Sequence, residues 1–242
     1  MMARRRNTRT GRWSLLGVIL LAVVAVGMAT LALRPMTSPD ASAQAGGWPT
    51  IAPDKVDPTA VFLGGSSAAG SGAGTAKTRW TTLLATAKGW TEANFAGQGN
   101  DSLFGTSDTS CGGKGCLKYQ DLVAKTVALD PSFVVVAVGQ SENATDPAVI
   151  AATISASFTA LRVGLPNATL IAVGPAATAS HVTERIQAVD AATRTAATSA
   201  GATYISLLEP NVFDDSMVGA DGITPNDAGH AAIATRIEAA FS

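Results

Sequence analysis

Histidine and cysteine are scarce in this 242-residue chain, which contains two of each. His181 and His230 lie far along the chain from Cys111 and Cys116, so these four residues do not form a convincing ligand set, and no metal site is expected. The two cysteines bracket the glycine-rich stretch CGGKGC. In an oxidising compartment, that spacing predicts a small disulfide loop.

Basic residues are scarce beyond the N-terminus. Six of the 17 Lys and Arg residues lie in the first 34 positions, which hold no acidic residue. Residues 35–242 therefore carry 11 basic and 18 acidic residues, a net charge of −7. This balance excludes an electrostatic footprint for nucleic acid, so no nucleic-acid partner is expected. It also gives the domain little attraction to an anionic membrane surface by charge alone.

The N-terminal segment joins a basic cluster to a long apolar run. Leu15–Leu33 holds 19 residues without a charge, and such a helix nearly crosses a hydrocarbon core of about 30 Å. The arginines before it place the N-terminus in the cytoplasm and the rest of the chain outside. Residues 1–34 are thus predicted to be a single-pass membrane anchor. A cleaved signal peptide is the alternative, because Ala41-Ser42-Ala43 suits a cleavage site, and the domain would then be secreted.

Beyond the anchor, the sequence divides into a linker and one domain. Residues 35–57 are rich in Pro, Ser, Ala and Gly and predict a linker, and residues 58–242 predict the domain. Within it, strands are predicted at 60–63, 93–96, 133–138, 170–173 and 203–206, and helices at 76–88, 119–129, 147–163, 182–199 and 227–241. This alternation predicts an α/β fold, a three-layer α/β/α sandwich of flavodoxin-like architecture with a five-stranded, mostly parallel sheet. Functional residues are expected beyond the carboxyl ends of the strands.

Four polar or glycine-rich segments lie at those positions. Their sequences are GGSSAAG (64–70), NFAGQGN (94–100), GQSEN (139–143) and DGITPNDAGH (221–230). A serine on a glycine-rich turn can be held exposed, with its backbone N–H free to donate. Taken singly, the segments are equally compatible with a tight turn, with loop caps and, for the last one, with a helix start capped by Asn226 or Asp227.

Taken together, the four segments resemble the conserved blocks of the SGNH (GDSL-type) hydrolases, over residues 58–242. The first block of that family is G-D-S-x-x-x-G, which places Ser66 at the nucleophile position and Gly65 where the family has aspartate. The glycine of the second block matches Gly99. The resemblance implies the SGNH hydrolase fold and a serine ester hydrolase or acyl transferase.

The third and fifth blocks depart from the family pattern. G-x-N-D is matched by a segment with Ser141 in place of Asn and Glu142 in place of Asp. D-x-x-H-P is matched by Asp221 followed by Thr224 in place of the histidine. The resemblance implies that Asp221 orients a base, and that Ser66, Gly99 and Ser141 form the oxyanion hole. It also implies acylated envelope material, a glycan or lipid, as the ligand, and no cofactor.

Thr224 cannot serve as the base, because its hydroxyl has no pKa near neutrality. Two other residues are candidates, Glu142 and His230, although family members often carry a histidine at the position of His230, which favours a structural role. His181 is expected to be a solvated helix cap. Two functions therefore stay open: an ester hydrolase impaired by the loss of its base, and a non-catalytic domain that binds a glycan, lipid or protein partner.

Overall fold

The computed structural model of the chain describes residues 57–96, 119–139 and 146–240. All of them belong to the second of two units into which the chain divides, Lys55–Ser242. The predictions for residues 1–34 and for most of the linker, 35–56, lie outside the described residues, as does the predicted Cys111–Cys116 disulfide. Within the described ranges, no helix is long and apolar enough to cross a membrane.

Five parallel strands form one sheet in the order β2-β1-β3-β4-β5. The strands are β1 (Thr59–Gly64), β2 (Thr91–Asn94), β3 (Phe133–Ala137), β4 (Thr169–Val173) and β5 (Thr203–Ile205). The helices are α1 (Ser66–Ala69), α2 (Trp80–Lys88), α3 (Tyr119–Leu129), α4 (Pro147–Gly164), α5 (Glu184–Ser199) and α6 (Asp227–Ala239), with short 3₁₀ turns at Ala179–His181 and Asp215–Met217. The predicted α/β fold with a five-stranded parallel sheet is confirmed.

The sheet has a hydrophobic core on each face, because successive strand side chains point to opposite sides. In β1, Val61 and Leu63 pack on the side of α3, α4 and α5, whereas Ala60 and Phe62 pack on the side of α2 and α6. All four side chains are fully buried. The continuous apolar runs of the sequence are therefore those of strands covered on both faces, which makes three layers.

Element boundaries differ from the prediction where neighbouring segments set them. The helix predicted from residue 76 begins at Trp80, because Thr75 and Thr78 form a turn through their backbone and hydroxyl groups. The second strand lies at Thr91–Asn94, two residues before its predicted position, because pairing with Thr59–Phe62 of β1 fixes its register. The short helix α1, which the sequence does not predict, follows β1 directly.

Candidate active site

Ser66 lies just beyond the carboxyl end of β1, as the first residue of α1. The helix stays short because Gly70 follows it with φ 104°, and the N–H groups of Gly70 and Ser71 donate to the Ser66 carbonyl at 3.0 and 2.9 Å. Gly64 packs so closely on α1 that a Cβ there would lie 2.6 Å from that of Ala68. Ser66 is half-buried, and its hydroxyl forms no hydrogen bond with another described residue.

Asn94, at the carboxyl end of β2, ties α1 to the neighbouring elements. Its side-chain Nδ2 donates to the carbonyl oxygen of Ala68 at 2.9 Å and to the Thr81 hydroxyl at 3.0 Å. Its Oδ1 accepts from the Ala96 N–H at 2.8 Å. This amide therefore fixes the helix that carries Ser66 against both β2 and α2. Asn94 belongs to the segment NFAGQGN, whose sequence does not by itself reveal this role.

Asp221 and Thr224 form a compact turn before α6. The Asp221 carboxylate accepts from the N–H groups of Ile223 and Thr224, at 3.1 and 2.8 Å, and from the Thr224 hydroxyl at 2.6 Å. These bonds lower the pKa of the Asp221 carboxyl, the Thr224 hydroxyl having the largest effect. Asp221 is thus held ionised, and the hydroxyl of Thr224 is engaged with the carboxylate.

Three contacts join this turn and the start of α6 to the segment that follows Ser66. Gly72, with φ 83°, lies so close to the turn that a Cβ there would overlap the carbonyl oxygen of Pro225 and lie 3.0 Å from Thr224 Cγ2. Beyond it, the Gly74 N–H donates to Asp227 Oδ1 at 2.7 Å. The third contact is made by His230. The structure therefore brings the predicted nucleophile segment and the Asp221–Thr224 turn together.

His230 lies in α6, completely buried, and both of its ring nitrogens contact the backbone. The Trp80 N–H donates to Nδ1 at 3.3 Å, and Nε2 lies 3.0 Å from the carbonyl oxygen of Ser71. A carbonyl oxygen only accepts, so Nε2 carries the hydrogen and the ring is neutral. Burial is the main cause that lowers the pKa of His230. In this arrangement neither nitrogen is available to take the proton of Ser66.

The buried imidazole predicts a stability that falls with decreasing pH. The unfolded chain takes up a proton on His230 first, with a pKa of about 6.5, because burial lowers the pKa in the fold. The contribution is fully present above about pH 6.5 and is lost below it, at up to about 1.4 kcal/mol per pH unit. Urea unfolding of the wild type and of His230→Asn at pH values of about 7.5 and about 5.5 measures this.

The wild type and His230→Asn share every other titratable group, so the effects of those groups cancel in the difference between the two proteins. One such group is Asp190, whose pKa is raised by burial and whose effect on stability therefore has the opposite dependence on pH. We expect the difference in unfolding free energy between wild type and His230→Asn to shrink at the lower pH. A difference that is the same at both pH values would contradict a lowered pKa of His230.

The remaining predicted site residues divide between the described and undescribed parts of the chain. His181 lies at the end of the 3₁₀ turn Ala179–His181 and is exposed. The expected cap position before α5 belongs instead to Thr183, whose hydroxyl accepts from the Ile186 N–H. Gly99, Ser141 and Glu142 lie outside the described residues, so their predicted roles in the oxyanion hole and as a base stay predictions.

A small pocket lies beside Ser66, at the carboxyl ends of β1, β3 and β4. Its free volume is about 40 Å³, and because a water needs only about 10–15 Å³, the pocket can take a group of a few heavy atoms. Its wall is mostly apolar and includes Val138, Val173, Leu207, Phe213 and Ile223. The site therefore offers a serine hydroxyl next to an apolar space. Among the described residues, no cluster of His, Cys, Asp or Glu suits a metal ion.

Similarity to known proteins covers this whole site. A model of the GDSL-like lipase/acylhydrolase family matches residues 62–232. The curated protein GDSL lipase Rv0518 of Mycobacterium tuberculosis is 28% identical over 124 residues, which are 49% of this chain and 54% of that protein. The chain thus aligns with about half the length of this relative.

Solved structures share the fold at low sequence identity. A family two carbohydrate esterase from Clostridium thermocellum, in complex with cellohexaose, superposes with a TM-score of 0.62 at 15% identity, over 78% of this chain and 65% of that one. TesA superposes with a TM-score of 0.56 at 18% identity, over 76% of this chain and 98% of that one. At such identities the likeness establishes the arrangement of strands and helices.

Proposed function

Because the chain belongs to the GDSL-like lipase/acylhydrolase family, the SGNH hydrolases, we propose that it binds acylated envelope material outside the cell and hydrolyses it only slowly. The family supplies the reaction class, acyl transfer from an ester to a serine. The apolar run of residues 15–33 behind a basic cluster supports the extracytoplasmic location. The apolar pocket beside Ser66 supports an acyl group as the part of the ligand that is recognised.

The hydrogen bond from Thr224 to Asp221 is the observation that carries the proposal. In the family pattern, residue 224 is the histidine that takes the proton of the nucleophile. Here the hydroxyl of Thr224 donates to Asp221 Oδ2 at 2.6 Å. The neutral hydroxyl of Thr224 is too weak a base to take a proton from Ser66, and its one hydrogen is donated to Asp221. Asp221 therefore orients a residue that cannot act as a base.

The remaining parts of the site still favour acyl binding. In the proposed mechanism, Ser66 Oγ approaches the ester carbonyl, and the N–H groups of Ser66 and Gly99 with the Ser141 hydroxyl donate to its oxygen. Without a base, Ser66 stays protonated and attack is slow. In serine hydrolases that lack the histidine, turnover falls by on the order of 10⁶, and the oxyanion hole and binding leave about 10³–10⁴ over water.

Slow hydrolysis that depends on Ser66 is the expected result for the full-length chain. p-Nitrophenyl acetate and butyrate are the substrates, and Ser66→Ala is compared with Ser67→Ala, a matched control on the next residue. We expect turnover far below the median enzyme value of about 10 s⁻¹, falling to background only in Ser66→Ala. Turnover near that value would contradict the impairment, and turnover unchanged in Ser66→Ala would contradict the site.

A non-catalytic binding domain is the second candidate, and the same observation favours it. The groups that handle protons differ from the family pattern, whereas the backbone that shapes the site is built from closely packed glycines such as Gly64 and Gly72. Titration calorimetry with acetylated and deacetylated oligosaccharides separates the two functions. Binding without detectable hydrolysis supports this candidate, and the absence of binding to any acylated fragment removes it.

A further inference from the structure

His181 packs on the turn that holds Asp221 and Thr224. The two segments meet at Gly222, where the ring atoms Cγ, Nδ1 and Cε1 of His181 lie so close that a Cβ would overlap them. Gly222 also has φ 70°, a conformation that favours glycine, and its carbonyl oxygen accepts from the Thr178 N–H at 3.2 Å. The loop after β4 is therefore clamped to the centre of the turn by one hydrogen bond and one ring.

Two hydroxyl groups fix the orientation of this ring. Nδ1 of His181 lies 2.9 Å from the hydroxyl oxygen of Thr178 and 3.0 Å from that of Ser180. The hydroxyls of Thr178 and Ser180 lie 3.2 Å apart, so the three groups form a small network. Thr178 is itself buried, with 1% of its surface exposed. The ring of His181 is exposed, and these two hydroxyls hold it in one orientation.

We propose that His181 is a positioning residue of the Ser66 site, which holds the Asp221–Thr224 turn through Gly222. The ring contacts the turn at Gly222, and Gly72 packs on Thr224 and Pro225 of the same segment. Asp221 can direct residue 224 toward the site only while the backbone between them keeps this conformation. The inference rests on the proposed function for its catalytic meaning, because it assumes that the turn serves Ser66.

The contact geometry separates this role from that of a proton carrier. Support of Gly222 uses Cγ, Nδ1 and Cε1, and the hydroxyl network uses Nδ1. Asparagine places an amide where histidine has Nδ1, whereas glutamine places its amide where histidine has Nε2. A positioning role predicts that His181→Asn keeps the function and that His181→Gln and His181→Ala lose it. A base that used Nε2 would be lost in all three variants.

Carboxyl NMR titration of Asp221 in the full-length chain tests the clamp without any need for activity. In the wild type and in His181→Asn, we expect the pKa of Asp221 to lie below its ordinary value, because the turn keeps its hydrogen bonds. In His181→Ala and His181→Gln, we expect the pKa to move up toward the ordinary value. An Asp221 pKa that is the same in wild type and His181→Ala would overturn the proposal.

Ester hydrolysis in a Thr224→His background gives the catalytic readout. We expect His181→Ala to lower kcat about 10-fold, with KM changed less than about 2-fold, because a displaced turn misplaces the base, whereas most of the acyl pocket is lined by other segments. His181→Asn should restore kcat to within about 3-fold. A kcat unaffected by His181→Ala would overturn the catalytic part of the proposal.

Failure of the proposed function gives a different pattern. If Thr224→His brings no activity that depends on Ser66, the proposed function fails while the Asp221 titration still decides whether His181 holds the turn.

Gly222→Ala is a matched probe from the other side of the contact. It should raise the pKa of Asp221 more in the wild type than in His181→Ala, where the ring no longer occupies the space of the new methyl group.

Discussion

Replacing Thr224 with histidine is expected to raise the hydrolysis of p-nitrophenyl acetate and butyrate by on the order of 10²- to 10⁴-fold, the usual contribution of general acid–base catalysis. Asp221 is already ionised and in place, since its Oδ2 accepts from residue 224 at 2.6 Å. An imidazole at this position can donate from Nδ1 to Asp221 and present Nε2 to Ser66. The histidine then supplies the base that Thr224 lacks.

The side chain of residue 224 lies against the backbone of Gly72. That residue has no Cβ, and a Cβ there would lie only 3.0 Å from Thr224 Cγ2, so the side chain of residue 224 meets glycine backbone. Ile223 and Pro225, on either side of it, line the pocket beside Ser66. The turn therefore directs this part of the chain to the site, as an acyl-transfer base requires.

Matched variants decide what the gain means. Thr224→Asn adds a polar side chain without a basic nitrogen and should stay at the wild-type rate. Ser66→Ala in the Thr224→His background should remove the gain, because the new base acts on the hydroxyl of Ser66. A folded Thr224→His protein without added activity would contradict the assignment of residue 224 to the base position. A gain that survives Ser66→Ala would contradict Ser66 as the nucleophile.

Replacing His230 with alanine is expected to lower the free energy of unfolding by about 3 kcal/mol. The change leaves a cavity in a fully buried site and removes the partners of the Trp80 N–H and the Ser71 carbonyl oxygen. Buried polar groups left without partners cost about 1–3 kcal/mol each, and a cavity adds to that cost. Urea unfolding of the full-length chain measures the loss.

Asparagine and glutamine at position 230 show which contact matters. His230→Asn can still accept from the Trp80 N–H, and His230→Gln can still donate to the carbonyl oxygen of Ser71, so both should lie between the wild type and His230→Ala. In the Thr224→His background, turnover per folded molecule should not change in His230→Asn. Loss of turnover without loss of stability would instead mean that His230 serves as the base, against the geometry of its two nitrogens.

The sequence by itself determined the fold class and predicted where the candidate site lies. Continuous apolar runs such as 133–138, alternating with segments of helical periodicity, are sufficient to predict a parallel sheet covered on both faces. In such a sheet the segments after the strands must meet at one edge, so Ser66 and Asp221 could be assigned to one site. Both predictions depend on local patterns of residues, and local patterns can be read along the chain.

Tertiary structure decided which polar residues act together. Asn94, Gly222 and His181 owe their roles to contacts between segments that are distant along the chain, which no local pattern reveals. The two histidines show the reason most clearly. His230 is buried with its two nitrogens bonded to the backbone of Trp80 and Ser71, whereas His181 reaches across to Gly222, 41 positions away. What an imidazole does depends on the groups that surround it in space, and only the packed fold fixes those groups.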